Sequence, residues 1–435
     1  TSLRDRAGAA TDYSRQDHHT EHRRSSRGRS SHGRPRYGSQ ARSELPDWHD
    51  VPVTTQGKAE AAAYRSRAAL AADSVHALFG RRMLGLPGTY LPLVSAPGPR
   101  RWTGPWHYWW LAHYLDCLVD AARRERIGGD PHRAATALTT AQRLLRTIRI
   151  RNVAIFTNHY YDDMAWLLLA AHRLDNEVVA RSPGLPATAA PRTLALSAGR
   201  SLRAAVTRGH TLDLGGGMFW NDHHDLKNVA ATGPAALFFA RIGDTIRAHA
   251  LLDWLDEHLL DSGTGLFVDG LRIAADGSTT IVPDVFTYNQ GTVLGALVTL
   301  GDRTSAERAE RLVHAIARHL TTDAQHRLLR THGGHDGGLF TGILVRYLAL
   351  AAHSPMLSDA ARTTARRLVL GTADGFWEDR RNITVPPRFG MPPAPVSVFS
   401  PDPAVPAQDS QPDGIPVELS TQVQAWMTLE AAATL

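Results

Sequence analysis

The sequence predicts an all-α protein, an (α/α)6 toroid in which six inner helices are surrounded by six outer ones. Helical periodicity dominates from about residue 60 onward, and alternating strand patterns are few. Six segments are apolar nearly all round, and amphipathic helical segments separate them. An apolar helix must be buried, whereas a helix with a polar stripe packs at the surface. The alternation therefore indicates a helical repeat that closes on itself.

The inner helices are predicted first, because their apolar runs are the clearest signal. They are expected at residues 109–122, 163–174, 228–244, 290–302, 341–352 and 420–433. Amphipathic stretches such as ATALTTAQRLLRTIRI and SAERAERLVHAIARHL lie between them and are expected to form the outer layer. An open helical solenoid ranks second, since it would need more regular repeats and polar end caps.

Composition divides the chain into a tail and one toroid domain. Residues 1–45 hold ten arginines against five acids and few apolar groups, so we expect a disordered basic tail. Residues 46–435 are expected to form the toroid domain. Within that domain, residues 385–416 are dense in proline, which cannot sustain a helix interior. We expect a long loop there, between the last two helices.

Several classes of protein are disfavoured. The single cysteine, Cys117, allows no intramolecular disulfide and no cysteine-based zinc site. No apolar run is long enough to span a membrane, and no basic face interleaved with aromatic residues indicates nucleic-acid binding. The N-terminus lacks the apolar centre of a signal peptide. We therefore expect a cytoplasmic monomer without metal or organic cofactor; the alternative is an exported protein whose signal is absent from this chain.

The segments that precede the predicted inner helices share one composition. FTNHYYDD, LGGGMFWNDHHDLKN, DVFTYNQG and THGGHDGGLFTG each combine aromatic rings with Asn, Asp, His or Gln. Inner helices of a toroid run parallel, so these segments would meet at one rim. Apolar faces of sugar rings pack on aromatic side chains, and their hydroxyls need paired donors and acceptors. The pattern is typical of a carbohydrate cleft.

The tandem aspartates Asp162 and Asp163 allow two interpretations. Asp is favoured in the first turn of a helix, where it caps backbone N–H groups and complements the helix dipole. Glycoside hydrolysis, however, generally needs one carboxylic acid to protonate the leaving oxygen and one carboxylate to attack carbon or to activate water. Two close carboxyls also push their pKa values apart. The residues alone leave both interpretations open.

The chain resembles glycoside hydrolase family 76, the endo-α-1,6-mannanases, in several ordered motifs between about residues 60 and 435. They are YDDMAW at 161–166, GGGMFW at 215–220 followed by Lys227 and Asn228, and TYNQG at 287–291. GGLFTGILVRYL and STQVQAWMTLEAA also resemble family segments. The resemblance implies an (α/α)6 fold and retaining hydrolysis of α-1,6-linked mannose chains.

The resemblance also implies roles for individual residues. Asp162 would be the nucleophile and Asp163 the general acid/base. We expect Lys227, with Asn228 and Tyr288, to position sugar hydroxyls. The remaining residues expected to bind substrate are Tyr161, Trp220, Asn289 and Gln290.

The expected function is therefore a glycosidase acting on α-mannan or mannooligosaccharides. Two alternatives remain. One is a transglycosylase that uses the same residues but a sugar hydroxyl as acceptor. The other is a mannan-binding protein that has kept the fold and lost turnover.

Overall fold

The computed structural model describes residues 55–98, 104, 106–180, 193–385 and 394–435. All of them belong to one compact unit, Ser43–Leu435. The predicted basic tail, residues 1–45, lies outside the described residues, so its disorder stays a prediction. The start of the predicted toroid domain at residue 46 also stays a prediction.

Helices make up most of the described structure. In chain order they are α1 (Thr55–Phe79), α2 (Tyr108–Ile127), α3 (Pro131–Arg151), α4 (Tyr161–Ala180), α5 (Leu194–Gly209), α6 (Val229–Arg241), α7 (Thr245–Leu259), α8 (Thr287–Leu300), α9 (Arg303–His319), α10 (Gly337–His353), α11 (Asp359–Glu378), α12 (Ala407–Ser410) and α13 (Leu419–Ala432). Each predicted inner segment overlaps one of α2, α4, α6, α8, α10 and α13.

The inner helices pack on one another in a closed ring. Along the chain, α2 contacts α4, α4 contacts α6, α6 contacts α8, α8 contacts α10 and α10 contacts α13, which returns to α2. Each inner helix also packs against one outer helix, and α1 covers α13. The helix α13 is buried along its whole length, as expected for a helix without a polar stripe. The predicted (α/α)6 toroid is confirmed.

The two layers begin their helices differently. Five outer helices have a side chain that accepts a hydrogen bond from the first turn, as Asp130 does for α3 and Ser358 for α11. Such caps satisfy N–H groups that have no partner within the helix. The residues that precede α2, α8, α10 and α13 make no side-chain cap. These four inner N-termini therefore keep donors and positive dipole ends directed at the rim, whereas Asn228 caps the inner helix α6.

Short strands reinforce the connections that lead from an outer helix to the next inner one. They are β1 (Ser95–Ala96), β2 (Leu226–Asn228), β3 (Leu260–Asp261), β4 (Leu266–Phe267), β5 (Gly270–Ile273), β6 (Thr279–Val282), β7 (Arg381–Val385), β8 (Ala394–Val398) and β9 (Val417–Glu418). All pairings within the described residues are antiparallel: β1 with β9, β3 with β4, β7 with β8, and β5 between β2 and β6. These pairings were not predicted.

The proline-rich segment, residues 385–416, is more regular than the predicted loop. Its described part contains strand β8, which pairs with β7 in register from Arg381 opposite Val398 to Val385 opposite Ala394. It also contains the short helix α12. Pro395 is tolerated in β8 because an edge strand does not need every N–H group.

The ring is closed by a buried ion pair between its first and last inner helices. Arg124 on α2 donates from Nε to Oε2 of Glu430 on α13 at 2.9 Å, and from Nη2 to Oε1 at 3.1 Å. The indole Nε1 of Trp426 donates to the same carboxylate at 2.8 Å. None of the helices among the described residues combines the length and apolar character needed to cross a bilayer.

Candidate active site

The tandem aspartates lie in the first turn of α4, at the rim where the inner helices begin. The backbone N–H of Tyr161 donates a hydrogen bond of 2.8 Å to the carbonyl oxygen of Trp220. Tyr160 forms an isolated β-bridge with Asn221. These contacts fix the start of α4 against the connection between α5 and α6. The structure thus brings the tandem acids together with Trp220.

The two carboxyls find different partners. Oδ2 of Asp162 accepts a hydrogen bond of 2.9 Å from Nε1 of Trp220, and Oδ1 accepts one of 2.8 Å from the backbone N–H of Asp163. Oδ2 of Asp163 accepts one of 2.7 Å from Nδ2 of Asn158. Because donors to a carboxylate favour its ionised form, Asp162 is the better stabilised anion.

Burial raises the pKa of both carboxyls. It raises the pKa of Asp162 to about 7, against the hydrogen bonds from the Asp163 N–H and Trp220, which lower it. Burial also raises the pKa of Asp163 well above its ordinary value, and the neighbouring Asp162 charge raises it further. Asp163 is therefore the acid that keeps its proton to higher pH, and above about pH 7 Asp162 is the one that ionises.

A third acid, Asp336, lies near the pair, at the residue before α10. Its Oδ1 accepts hydrogen bonds from the indole Nε1 of Trp109 at 3.1 Å and of Trp110 at 2.9 Å. Its charge raises the pKa of Asp162 and Asp163. The sequence analysis missed this residue. The available signal was its place before an inner helix, like that of the tandem aspartates.

Aromatic side chains from α2, α4, α8 and α10 form a circuit that we call the aromatic floor. Their ring centroids are separated by 5.6 Å from Trp109 to His113, 4.8 Å to Trp166, 6.3 Å to Tyr288, 4.2 Å to Phe340 and 6.2 Å back to Trp109. Trp109, Tyr288 and Phe340 are partly exposed, and the other two are buried. Partly exposed rings suit the apolar face of a sugar. Of these residues, the sequence predicted Tyr288.

Asp269 is a further acid that the sequence analysis missed. Its Oδ1 accepts a hydrogen bond of 3.0 Å from Nδ2 of Asn289, and the Tyr288 hydroxyl lies 3.5 Å away. Burial raises the pKa of Asp269. Oδ1 of Asn289 is buried without a hydrogen-bond partner among the described residues. The Asn289 side chain is fully buried, so its expected contact with substrate stays a prediction.

Lys227 holds the glycine-rich segment around residues 211–217 from inside the protein. Its fully buried side chain donates from Nζ to Oγ1 of Thr211 at 3.1 Å and to the carbonyl oxygens of Asp213 and Gly216 at 2.5 Å. An ammonium group has three protons, so these bonds use all of them. The structure therefore places Lys227 within the protein and not, as expected, against a sugar hydroxyl.

Gln290 and Asn228 are likewise engaged inside the protein. The Gln290 amide accepts from the Phe267 N–H at 2.9 Å and donates to the Phe267 carbonyl at 2.8 Å. Asn228 caps α6, because its Oδ1 accepts from the Ala231 N–H at 3.1 Å. Both were expected to bind substrate. Their hydrogen bonds instead hold the junctions between strand and helix below the rim.

Of the two tyrosines before the acids, Tyr160 is the one that lies beside Trp220 on the surface. Its ring centroid is 5.1 Å from that of Trp220, and the side chain is exposed. Tyr161, which was expected to bind substrate, packs against the core. A Cβ added at Gly209 would lie 2.6 Å from its ring.

The rim therefore offers one stabilised carboxylate, one protonated carboxyl and an aromatic floor. Such a pair can attack an acetal carbon and protonate its leaving oxygen. Within the described residues, no group of three or more His, Cys, Asp or Glu side chains is placed to hold a metal ion.

Comparison with solved structures gives the same fold. The α-1,6-mannanase GH76A from Salegentibacter sp. HEL1_6 shares 27% sequence identity at a TM-score of 0.68, covering 85% of this chain and 99% of that one. An inactive variant of that mannanase, with two consecutive aspartates replaced by asparagine, has been solved in complex with α-1,6-mannotriose. Dfg5 from Chaetomium thermophilum, at 14% identity and a TM-score of 0.59, covers 88% of this chain and 91% of its own; this likeness shows the fold alone.

Comparison of sequences points to the same family. The mannan endo-1,6-alpha-mannosidase DCW1 of Candida glabrata is 31% identical over 105 residues, which are 22% of this chain and 23% of that relative's length. Residues 66–388 match the profile of glycosyl hydrolase family 76. That match covers well over half of the chain and includes the tandem aspartates, Trp220 and Asp336. The chain belongs to glycosyl hydrolase family 76.

Proposed function

We propose that this chain hydrolyses α-1,6-mannosidic linkages in mannan or mannooligosaccharides with retention of configuration. The proposal rests on the different hydrogen bonds and pKa values of the two tandem acids. Asp162 has two donors that stabilise a carboxylate, whereas burial and the Asp162 charge raise the pKa of Asp163. A retaining glycosidase needs one ionised and one protonated carboxyl. The substrate class is taken from the mannanases that the chain resembles.

In the first step, a carboxylate oxygen of Asp162 attacks the anomeric carbon of a mannose unit. The bond from that carbon to the linking oxygen breaks, and the oxygen leaves with the proton of Asp163. In the second step, the Asp163 carboxylate takes a proton from water, whose oxygen attacks the anomeric carbon and releases Asp162. Two displacements at one carbon retain its configuration.

The test is cleavage of linear α-1,6-mannooligosaccharides by the intact chain and by Asp162→Asn and Asp163→Asn. Both variants should lose at least about 10³-fold in kcat, because each lacks one half of a covalent mechanism. The matched control is Asp222→Asn, an exposed acid that pairs with His159 outside this machinery. NMR of the first product should show the α anomer.

Other outcomes would select other functions. A β anomer would exclude the retaining mechanism. Products longer than the substrate would indicate a transglycosylase. Binding without cleavage, unchanged in both Asp→Asn variants, would indicate a mannan-binding protein. The monomeric state and the cytoplasmic location expected from the sequence stay predictions.

A further inference from the structure

Two exposed apolar loop tips lie on the face where the inner helices begin. The first, Leu84–Pro87, belongs to the connection from α1 to α2, and the second, Val153–Ile155, to the connection from α3 to α4. Leu84 is 68% exposed and Val153 is 86% exposed. Both connections lead from an outer to an inner helix, so both tips share the face of the candidate active site. We call these two segments the apolar tips.

The apolar tips are neighbours at the C-terminal end of α3. Just after the first tip, the Tyr90 N–H donates to Oγ1 of Thr147 on α3 at 2.9 Å. The second tip begins two residues after Arg151, the last residue of α3. Ile150, in the last turn of α3, is also exposed. The exposed side chains therefore gather around one helix end and form a single patch.

The backbone of both tips adopts the left-handed region. The φ angle is 51° at Leu84, 54° at Val153 and 64° at Ala154. This region is uncommon for residues other than glycine and is an outlier for a β-branched residue such as valine. Nε of Arg149 donates to the Ala154 carbonyl oxygen at 2.9 Å and holds the second tip in place. The fold thus keeps an unfavourable backbone in which the valine side chain is exposed, a combination that often marks a functional segment.

The surroundings of the apolar tips are basic. No Asp or Glu occurs between Asp73 and Asp116, or between Asp130 and Asp162. The described arginines of these stretches on the side of the tips are Arg81, Arg82, Arg143, Arg146, Arg149 and Arg151. Four of these arginines, all exposed, make no ion pair with a described carboxylate: Arg82, Arg143, Arg146 and Arg149. The patch is therefore apolar at its tips and positively charged at its border.

We propose that this face docks on an anionic lipid surface, with the apolar tips at the level of the headgroups. Exposed apolar side chains beside clustered arginines are typical of proteins that bind a membrane interface, because apolar burial and headgroup attraction add. A soluble polyanion would engage the arginines but leave the apolar tips exposed. A second copy of the chain would bring arginines against arginines. An anionic lipid surface would bury the apolar tips and also contact the arginines.

Docking in this orientation has a consequence for substrate. The apolar tips share their face with the tandem aspartates, so the rim that carries these acids faces the lipid surface. Glycans attached to that surface would then reach the cleft more readily than glycans in solution. This binding is separate from the hydrolysis proposed above and is tested separately.

The first test is flotation of the full chain with vesicles of phosphatidylcholine alone or mixed with phosphatidylglycerol. The chain should float with the mixed vesicles and not with the neutral ones. Val153→Asn should reduce binding at least severalfold, since Asn tolerates the left-handed region but removes the apolar group. Ile246→Asn is the matched control. Ile246 is 85% exposed and lies at the start of α7, on the opposite face.

The second test removes charge. Each of Arg82→Gln and Arg146→Gln should weaken binding to the mixed vesicles about fivefold. Arg303→Gln, at the exposed start of α9 on the opposite face, should have little effect. The basic tail is present in every variant, so differences between variants belong to the patch.

Three results would overturn the proposal. One is equal binding by Val153→Asn and Ile246→Asn. Another is binding to dextran sulfate that competes with the vesicles and is insensitive to Val153→Asn, which would indicate a soluble polyanion. The third is a change of oligomeric state in Val153→Asn by size-exclusion chromatography. If the intact chain cleaves no mannooligosaccharide but still floats as described, the proposed hydrolysis fails and the lipid contact stands.

Discussion

Two neighbouring aspartates at the start of α4 differ in the partners that their carboxyl oxygens find. Asp162 accepts from an indole and a backbone N–H, whereas Asp163 accepts from Asn158. The proposed mechanism requires Asp162 ionised and Asp163 protonated. It should therefore rise with pH as Asp162 ionises and fall as Asp163 loses its proton. We expect a bell-shaped dependence of kcat/KM on pH, with the acidic limb near pH 7.

Replacing Trp220 by Phe should move the acidic limb of that profile. The indole donor lowers the pKa of Asp162 by favouring its carboxylate. Its loss raises that pKa, so a higher pH is needed to ionise Asp162, the proposed nucleophile. We expect an alkaline shift of about one pH unit in kcat/KM, with the other limb less affected. An unchanged acidic limb would contradict the assignment of Asp162 as the group that must ionise.

Asp336→Asn should shift both limbs in the opposite direction. The Asp336 charge raises the pKa of Asp162 and of Asp163. Without it, both groups ionise at lower pH, and the whole profile moves toward acid. A pH–rate profile of the variant beside the intact chain would show this. A loss of rate without any displacement of the profile would instead indicate a role in binding sugar.

The sequence predicted the tandem acids from their place at the start of an inner helix, and Trp220 from the resemblance to a family motif; their roles stay predictions. It missed Asp336 and Asp269, whose importance depends on contacts with residues far away in the chain. It also assigned Lys227 to the cleft, since a lysine in a family motif does not reveal whether its protons face a ligand or a buried loop. Burial of the Lys227 side chain, seen in the structure, is what decides that question.

Two inner helices attach to their preceding connections in the same way. The amide of Gln290 on α8 pairs with the N–H and carbonyl of Phe267, and the amide of Gln422 on α13 pairs with those of Phe399. In both cases 23 residues separate the glutamine from the phenylalanine. The repeat architecture is therefore also a repeat of side-chain contacts.

Gln422→Leu should destabilise the fold although Gln422 is not part of the tandem-acid site. The substitution leaves the buried N–H and carbonyl of Phe399 without their partner. Such groups each cost about 1–3 kcal/mol, so the free energy of unfolding should fall by about 2–6 kcal/mol. Urea denaturation would measure it. Gln411→Leu, whose Oε1 has no hydrogen-bond partner among the described residues, is a suitable control and should change stability less.

Helices were easier to predict than strands for a physical reason. A helix forms its hydrogen bonds within one segment, so periodicity along the sequence reveals it. The strands described above are two to five residues long and pair across connections, as β1 does with β9. No segment of that length carries a periodic signal, so the strand β8 was mistaken for loop.

The toroid closes where α13, the last inner helix, returns to α2. Periodicity predicted a closed ring, but it did not predict the buried ion pair of Arg124 and Glu430 that joins the first and last inner helices. Glu430→Gln would leave Arg124 buried without this charged partner. Breaking an isolated buried ion pair costs about 3–5 kcal/mol; because Arg124 keeps its pair with Glu125 at 2.6 Å, we expect a loss in the free energy of unfolding at the low end of that range.

Urea denaturation followed by circular dichroism and by tryptophan fluorescence would test the role of this closure. If the ring unfolds as a unit, both signals should shift together to lower urea in Glu430→Gln. Glu307→Gln, which breaks the exposed pair with Arg303, should change little. If the urea midpoint moved equally in Glu430→Gln and Glu307→Gln, the buried pair would contribute no more to stability than an exposed one.

The two ends of the toroid differ in their connections, and this difference decides where the protein can be attached to a solid support. At the end opposite the cleft, the turns at residues 128–130, 242–244 and 301–302 are short and carry no strand. Gly129 and Gly243 have room for a side chain, but both adopt a left-handed backbone that favours glycine. A cysteine introduced at either position would therefore be strained. Exposed Ile246, next to that end, avoids the strain. A tether attached there would hold the enzyme on a bead with its cleft facing outward.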